Sequence, residues 1–209
     1  GVINPSSLPK VDCTRMMKFF GQAGAHSVTY VFSAYNLSVP ASAFGHTMLR
    51  LNRSRTKGGE RGSELLDLGI GFAAEVDTTN PISYMLKGLF GGFAGRYSAR
   101  PYYYKVREYN DYESRDLWEY DLTLDADETM MLVAHVWELS HGYSPYFYTG
   151  ENCSYQLLRL LDVAKPSVNL ASHVGTLVLP ADTVKALFSA PGLVKKTRFR
   201  PSIRTQLMH

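Results

Sequence analysis

Cysteine is scarce: the 209 residues contain two, Cys13 and Cys153. That excludes a small scaffold held by disulfides. No run of about 18 apolar residues occurs, so no segment reads as a membrane-spanning helix. Charge of one sign is lacking too. Lys and Arg number 22 against 19 Asp and Glu, a net +3, too little to argue for a nucleic-acid partner. There is no internal repeat and no low-complexity tract. Metal and phosphate signatures are missing: no Cys-x-x-Cys, no His-Glu-x-x-His and no glycine-rich loop carrying the lysine a phosphate site needs. No Gly-x-Ser-x-Gly elbow is found. No metal and no cofactor is therefore expected. No signal peptide is visible, and a start at Gly1-Val2-Ile3-Asn4 is expected of a mature or trimmed chain.

What is present suits a folded domain. Apolar residues make up 45% and charged residues 20%, enough apolar surface to bury a core. Residues 1–26 read as an N-terminal arm, 27–190 as one domain, and 191–209 as a basic C-terminal tail. In that tail Lys195, Lys196, Arg198, Arg200 and Arg204 crowd together. They read either as a solvated segment or as a contact for anionic headgroups or another acidic surface.

Residues 27–35 (SVTYVFSAY), 45–52 (GHTMLRLN) and 63–71 (SELLDLGIG) read as strands, separated by a turn at Pro40 to Ala43 and a loop over 56–62. Their succession predicts an antiparallel meander. Pro81 after Asn80 starts a short helix. The following Gly88-Leu89-Phe90-Gly91-Gly92-Phe93 is either a buried plug or a lip touching lipid or a hydrophobic substrate. Residues 100–110 (RPYYYKVREYN) read as a strand, 111–117 as a short helix and 118–122 as a strand. Asp125 and Glu128 form a capping box that opens a helix through His141, stopped by Gly142. A tyrosine-rich turn, 143–150, leads to a helix whose apolar stripe is Leu157, Leu158, Leu160 and Leu161, with Pro166 beyond its end. A last helix covers 181–189. The fold class is α+β, an antiparallel sheet packed with helices.

Cys153 falls at the start of the leucine-striped helix. The positive end of the helix dipole favours a thiolate there, and free backbone N–H groups can hold an oxyanion. A buried structural thiol fits the same stripe equally well. A thiolate nucleophile needs a base. His46 is the best placed, opening a strand after Gly45, and His141 comes second; for each, a structural role is the plainer reading. Asp67 ranks above Glu64 as the group that orients the imidazole, because a carboxylate between Leu66 and Leu68 needs a partner. A disulfide between Cys13 and Cys153 would remove the nucleophile.

Two segments, 28–51 (VTYVFSAYNLSVPASAFGHTMLRL) and 146–162 (YFYTGENCSYQLLRLLD), resemble the Lnb N-terminal periplasmic-domain family of bacterial envelope proteins. The stretch 84–120 (KGLFGGFAGRY, PYYYKVREY, RDLWEY within it) and Leu179-Pro180-Ala181-Asp182-Thr183 also fit, so the likeness covers roughly residues 27–185. The resemblance implies a permuted papain-like, NlpC-type fold with the histidine strand before the cysteine helix, in the periplasm or another extracytoplasmic compartment. It implies acyl transfer on lipoprotein or phospholipid acyl groups: Cys153 attacks a carbonyl, His46 serves as base and then acid, and Asp67 orients it. Asn152, Tyr30 and Tyr155 are candidates to hold the oxyanion. Leu89, Phe90 and Phe93 are candidates to contact lipid, with peripheral membrane contact in view. Two other readings stand beside it: a peptidoglycan amidase or peptidase using the same pair, and a non-catalytic binding module that kept the fold.

Overall fold

The computed structural model describes residues 12–35, 44–54 and 63–208. The turn expected at Pro40 to Ala43, the loop at 56–62 and most of the N-terminal arm lie outside these residues. Seven antiparallel strands form one sheet in the order β6-β4-β3-β2-β1-β5-β7. They are β1 (Ala25–Ser33), β2 (His46–Arg53), β3 (Leu68–Glu75), β4 (Phe93–Pro101), β5 (Leu117–Leu122), β6 (Ser144–Tyr146) and β7 (Val194–Arg200). The first four are a meander; the sequence predicts its first three strands, and β4 falls before the strand expected over 100–110.

Alternation along β1 and β2 divides the side chains between two faces. Val28, Tyr30, Leu49 and Leu51 enter the larger core. They pack under α4 (Ala126–Leu139), α5 (Cys153–Ala164) and α6 (Pro180–Ser189), with α1 (Thr14–Ala23) against α4. Leu157, Leu158, Leu160 and Leu161 supply the stripe of α5, all buried. Val31 and Met48 face the other way, onto Tyr102, Val106 and Tyr109.

That second layer corrects one expectation. Residues 100–110 are not a strand: β4 ends at Pro101, α3 runs Tyr102–Val106, and a π-helical turn continues over Arg107–Tyr112. Tyr102, Val106 and Tyr109 recur at helical spacing and are the buried apolar residues, so their period outweighs the strand preference of three successive tyrosines. The helix expected over 111–117 is confined to the end of this turn. The third strand begins later than expected, since residues Ser63–Leu66 form a 3-10 turn and β3 starts at Leu68.

Helix starts follow their caps. Asn80 accepts from Ile82 N–H and Ser83 N–H at the head of α2 (Pro81–Phe90). Asp125 and Glu128 form the capping box of α4. Gly91, at φ 74, closes α2 in the left-handed region, so Leu89 and Phe90 end a helix rather than sit in a loop. The basic segment past Ser189 joins the sheet as edge strand β7, beside β5.

Arg50 is 2% exposed on β2. Its guanidinium lies 3.1 Å from Glu119 and 3.7 Å from Asp67, both buried. Tyr102 Oη donates to Glu119 (2.9 Å), and Arg198 and Arg200 approach the same carboxylate at 3.4 and 3.5 Å. A buried ion cluster therefore ties β2, β5 and β7 together.

Candidate active site

α5 begins where its cap dictates. Asn152 Oδ1 accepts the N–H groups of Ser154 (3.0 Å) and Tyr155 (3.2 Å). Asn152 Nδ2 donates to the carbonyls of Tyr148 (3.2 Å) and Val178 (2.7 Å). The amide thus pins the first turn of α5 to the segment before α6. Both of its N–H donors are used by backbone carbonyls, so in this arrangement neither is turned to the sulfur side of the site.

The result is a sulfur facing the start of β2. His46 hydrogen-bonds Cys153, and the Thr47 N–H and Ser154 hydroxyl also reach its sulfur; Ser154 Oγ is at 3.7 Å. Burial alone pushes this thiol up. The charge of His46 and these hydrogen bonds outweigh it, bringing the thiol down to about 6. Cys153 N–H donates to Tyr146 Oη (3.4 Å). Burial and the neighbouring Cys153 charge raise the Tyr146 phenol well above its ordinary range, so it stays protonated and can donate. The Tyr109 ring packs on His46 with centroids 5.7 Å apart. Both cysteines are free, Cys13 exposed and Cys153 buried, so no disulfide ties up the sulfur.

Two cavities flank the pair. One, about 270 Å³, is lined by His46, Met48, Tyr109, Lys105, Glu108 and Glu113 among others. The second, about 140 Å³, is lined by Cys153 with Phe44, Leu89, Leu179 and Pro180. Tyr146 and Tyr148 line both and stand between them. One cavity is polar at its rim and the other mainly apolar, with the sulfur and the imidazole at the junction.

The remaining sequence candidates are placed elsewhere. Asp67 lies at the opposite end of β2 from His46: it accepts the Arg53 N–H (3.1 Å) and pairs with Arg50. The gap between positions 46 and 52 of an extended strand is about 20 Å. A partner was correctly expected for this carboxylate, but the partner is a cation network and not the imidazole. Tyr30 is fully buried behind the site, its hydroxyl shared with Thr183 (2.7 Å). It belongs to a chain of buried hydroxyls with Thr47 and Ser154, which are 3.0 Å apart. Tyr155 is half-buried on α5 and lines neither cavity. Phe93 is 2% exposed, packed on Tyr84 and Tyr148, so it is core rather than contact surface. Leu89 (43%) and Phe90 (77%) are exposed. His141 caps its own helix end on Trp137 O (2.8 Å). Among the described residues no three His, Cys, Asp or Glu side chains gather as a metal site.

Sequence reasoning missed Tyr146, Tyr109 and Tyr148. The first and third sit in a short irregular stretch with no period to read, and Tyr109 was assigned to a strand. Ser154 was adjacent to the nucleophile and could have been named from the Asn-Cys-Ser triplet alone.

Replacing Asn152 with alanine is expected to lower stability by about 2–4 kcal/mol in a denaturant titration, through loss of the cap and two unpaired carbonyls. Asn152→Ser, which keeps a cap oxygen without setting a second oxygen against the Tyr148 and Val178 carbonyls, should lose less. Equal losses would show that the cap contributes little.

A family model described as the Lnb N-terminal periplasmic domain matches residues 16–190. No curated protein and no solved structure matches the chain.

Proposed function

This chain belongs to the Lnb N-terminal periplasmic domain family and is periplasmic, and from that premise we propose that it is a cysteine-dependent acyl-transfer enzyme acting on lipid or lipoprotein acyl groups. The observation that carries the reading is the placement of His46 against Cys153 at the capped head of α5, where its charge and hydrogen bonding lower the thiol. The histidine strand precedes the cysteine helix, which supports reading the architecture as a permuted papain-like fold.

In the proposed reaction the Cys153 thiolate attacks an ester carbonyl carbon. The oxyanion forms beside the Tyr146 hydroxyl, which accepts from Cys153 N–H at the nucleophile and keeps its own O–H to donate. The ester C–O bond breaks, and the His46 imidazolium gives its proton to the departing alkoxide. A thioacyl-enzyme remains. An amine or water then attacks the thioester, His46 takes its proton, and the thiolate is released.

The apolar side of the site supports an acyl substrate. Ile82, Met85, Leu86, Leu89 and Phe90 are 43–77% exposed along one face of α2, spaced at i, i+3, i+4, i+7 and i+8. The opposite face, with Gly88 and Tyr84, packs on Tyr148 and Phe93. An apolar stripe turned outward suits contact with a bilayer surface or an acyl chain. Leu89 belongs both to this stripe and to the Cys153 cavity. The polar rim of the His46 cavity favours a second reading, a peptidoglycan amidase or peptidase using the same pair.

Incubation with a diacylated lipopeptide and, separately, with muropeptides tests the choice by intact mass. The expected result is an acyl-sized mass gain on Cys153 and a lipopeptide with one ester lost. Cleaved muropeptides with no acyl adduct would favour the second reading, and no change with either would favour a binding module.

A further inference from the structure

A larger cavity, about 700 Å³, lies at the Arg53 end of β2. His46 opens the other end of that strand, about 20 Å away along its length. The cavity is distinct from the one holding Cys153, and its volume is that of a small-molecule site.

Two bulges converge on it. In β1, Ala25 pairs with Arg53 and Ser27 with Asn52, so His26 is an extra residue. In β7, Lys196 pairs with Asp121 and Val194 with Leu122, so Lys195 is an extra residue. A bulge re-aims a side chain that alternation would send to the other face. Accordingly His26 and Ser27 both line the cavity, and so do the consecutive Lys195 and Lys196.

The charge is one-sided. Arg50 and Arg198 also line the cavity, but Glu119, Asp67 and Asp121 occupy them. Asp121, the one carboxylate among the described lining residues, is held by Arg198 (2.8 Å) and the Thr29 hydroxyl (2.7 Å). Arg53, Lys195 and Lys196 make no ion pair with another described residue. Three cations without an ion pair among the described residues, together with an imidazole around one concave space, suit a multiply charged anion.

We propose that this cavity binds a phosphate group, free or carried on a lipid headgroup. Tetrahedral oxygens meet the ammonium groups of Lys195 and Lys196 from β7 and the Arg53 guanidinium from β2, with His26 completing the ring. The paired Arg50–Glu119 cluster forms a fixed floor. Nothing in this inference depends on the chemistry at Cys153.

The probes are inorganic pyrophosphate, followed by calorimetry at low salt, and phosphatidylcholine vesicles with and without phosphatidylglycerol, followed by co-sedimentation. Saturable binding is expected to one probe or both. Pyrophosphate alone points to a soluble phosphate and vesicles alone to a headgroup. Whichever binds, K195A/K196A is expected to weaken it by about thirtyfold, from two cations at roughly 1 kcal/mol each. H26A should weaken it less, and K185A, at an exposed position of α6, not at all. All four positions are exposed, so these variants keep the fold. Absence of binding to either probe, unchanged binding by K195A/K196A, or an equal loss in K185A would overturn the proposal.

Discussion

His46→Ala is expected to lower turnover of a diacylated lipopeptide by about a thousandfold, while unfolding at nearly the wild-type denaturant concentration. Two losses combine. The general base and acid is removed, a contribution on the order of 10²–10⁴ in rate. The thiol also loses the partner that holds it down. Cys153 is buried, and burial by itself raises a thiol; the neighbouring His46 charge and its hydrogen bonding chiefly reverse this. Without them the thiolate fraction at pH 7 falls steeply. The KM for substrate should change little, because His46 lies at the junction of the two cavities rather than along either one's apolar wall. Retained activity in His46→Ala would remove the imidazole from the mechanism. The Tyr109 ring against His46 makes a stability loss of more than about 1 kcal/mol unexpected, since the histidine is only half-buried.

The second large effect is structural. Arg50→Ala is expected to destabilise the fold by about 3–5 kcal/mol, because it strands Glu119 and Asp67 as buried carboxylates without their shared cation. For a chain of this length that is a fall of about 10 °C in Tm. Arg198→Ala removes an ion pair to the same Glu119 from a side chain that is 38% exposed, and an effect below about 1 kcal/mol is expected. The contrast between the two arginines is the test. Similar losses for both would mean that burial of Arg50 does not govern its contribution. Tyr102 and Arg200 remain on Glu119 in Arg50→Ala, which is why the loss is not expected to exceed this range.

The sequence carried the site where local rules act alone. Asn152 before Cys153 is a cap signal, and the stripe from Leu157 to Leu161 gives the buried face of the same helix; together they place the sulfur at a helix start. Gly45 before His46 marks the start of a strand. Their meeting rests on the register of β2 beneath α5, which no local pattern encodes. Asp67 illustrates the same limit. Its setting between leucines announced a buried partner, but which partner depended on how far along β2 it falls, and that distance put it with Arg50. Tyr146 was hidden because β6 is three residues long, too short for alternation to be read, and Tyr148 lies in the turn beyond it. The bulges that turn His26 and Lys195 inward are products of strand pairing and leave no mark in the order of residues.

Nucleophilic attack by Cys153 requires a thiolate at neutral pH, and the pH dependence of its alkylation measures this directly. In a Cys13→Ser background, the rate with iodoacetamide followed by intact mass should rise through an inflection near pH 6 and be almost flat above pH 7. An inflection near the ordinary thiol value of about 8.5 would contradict it.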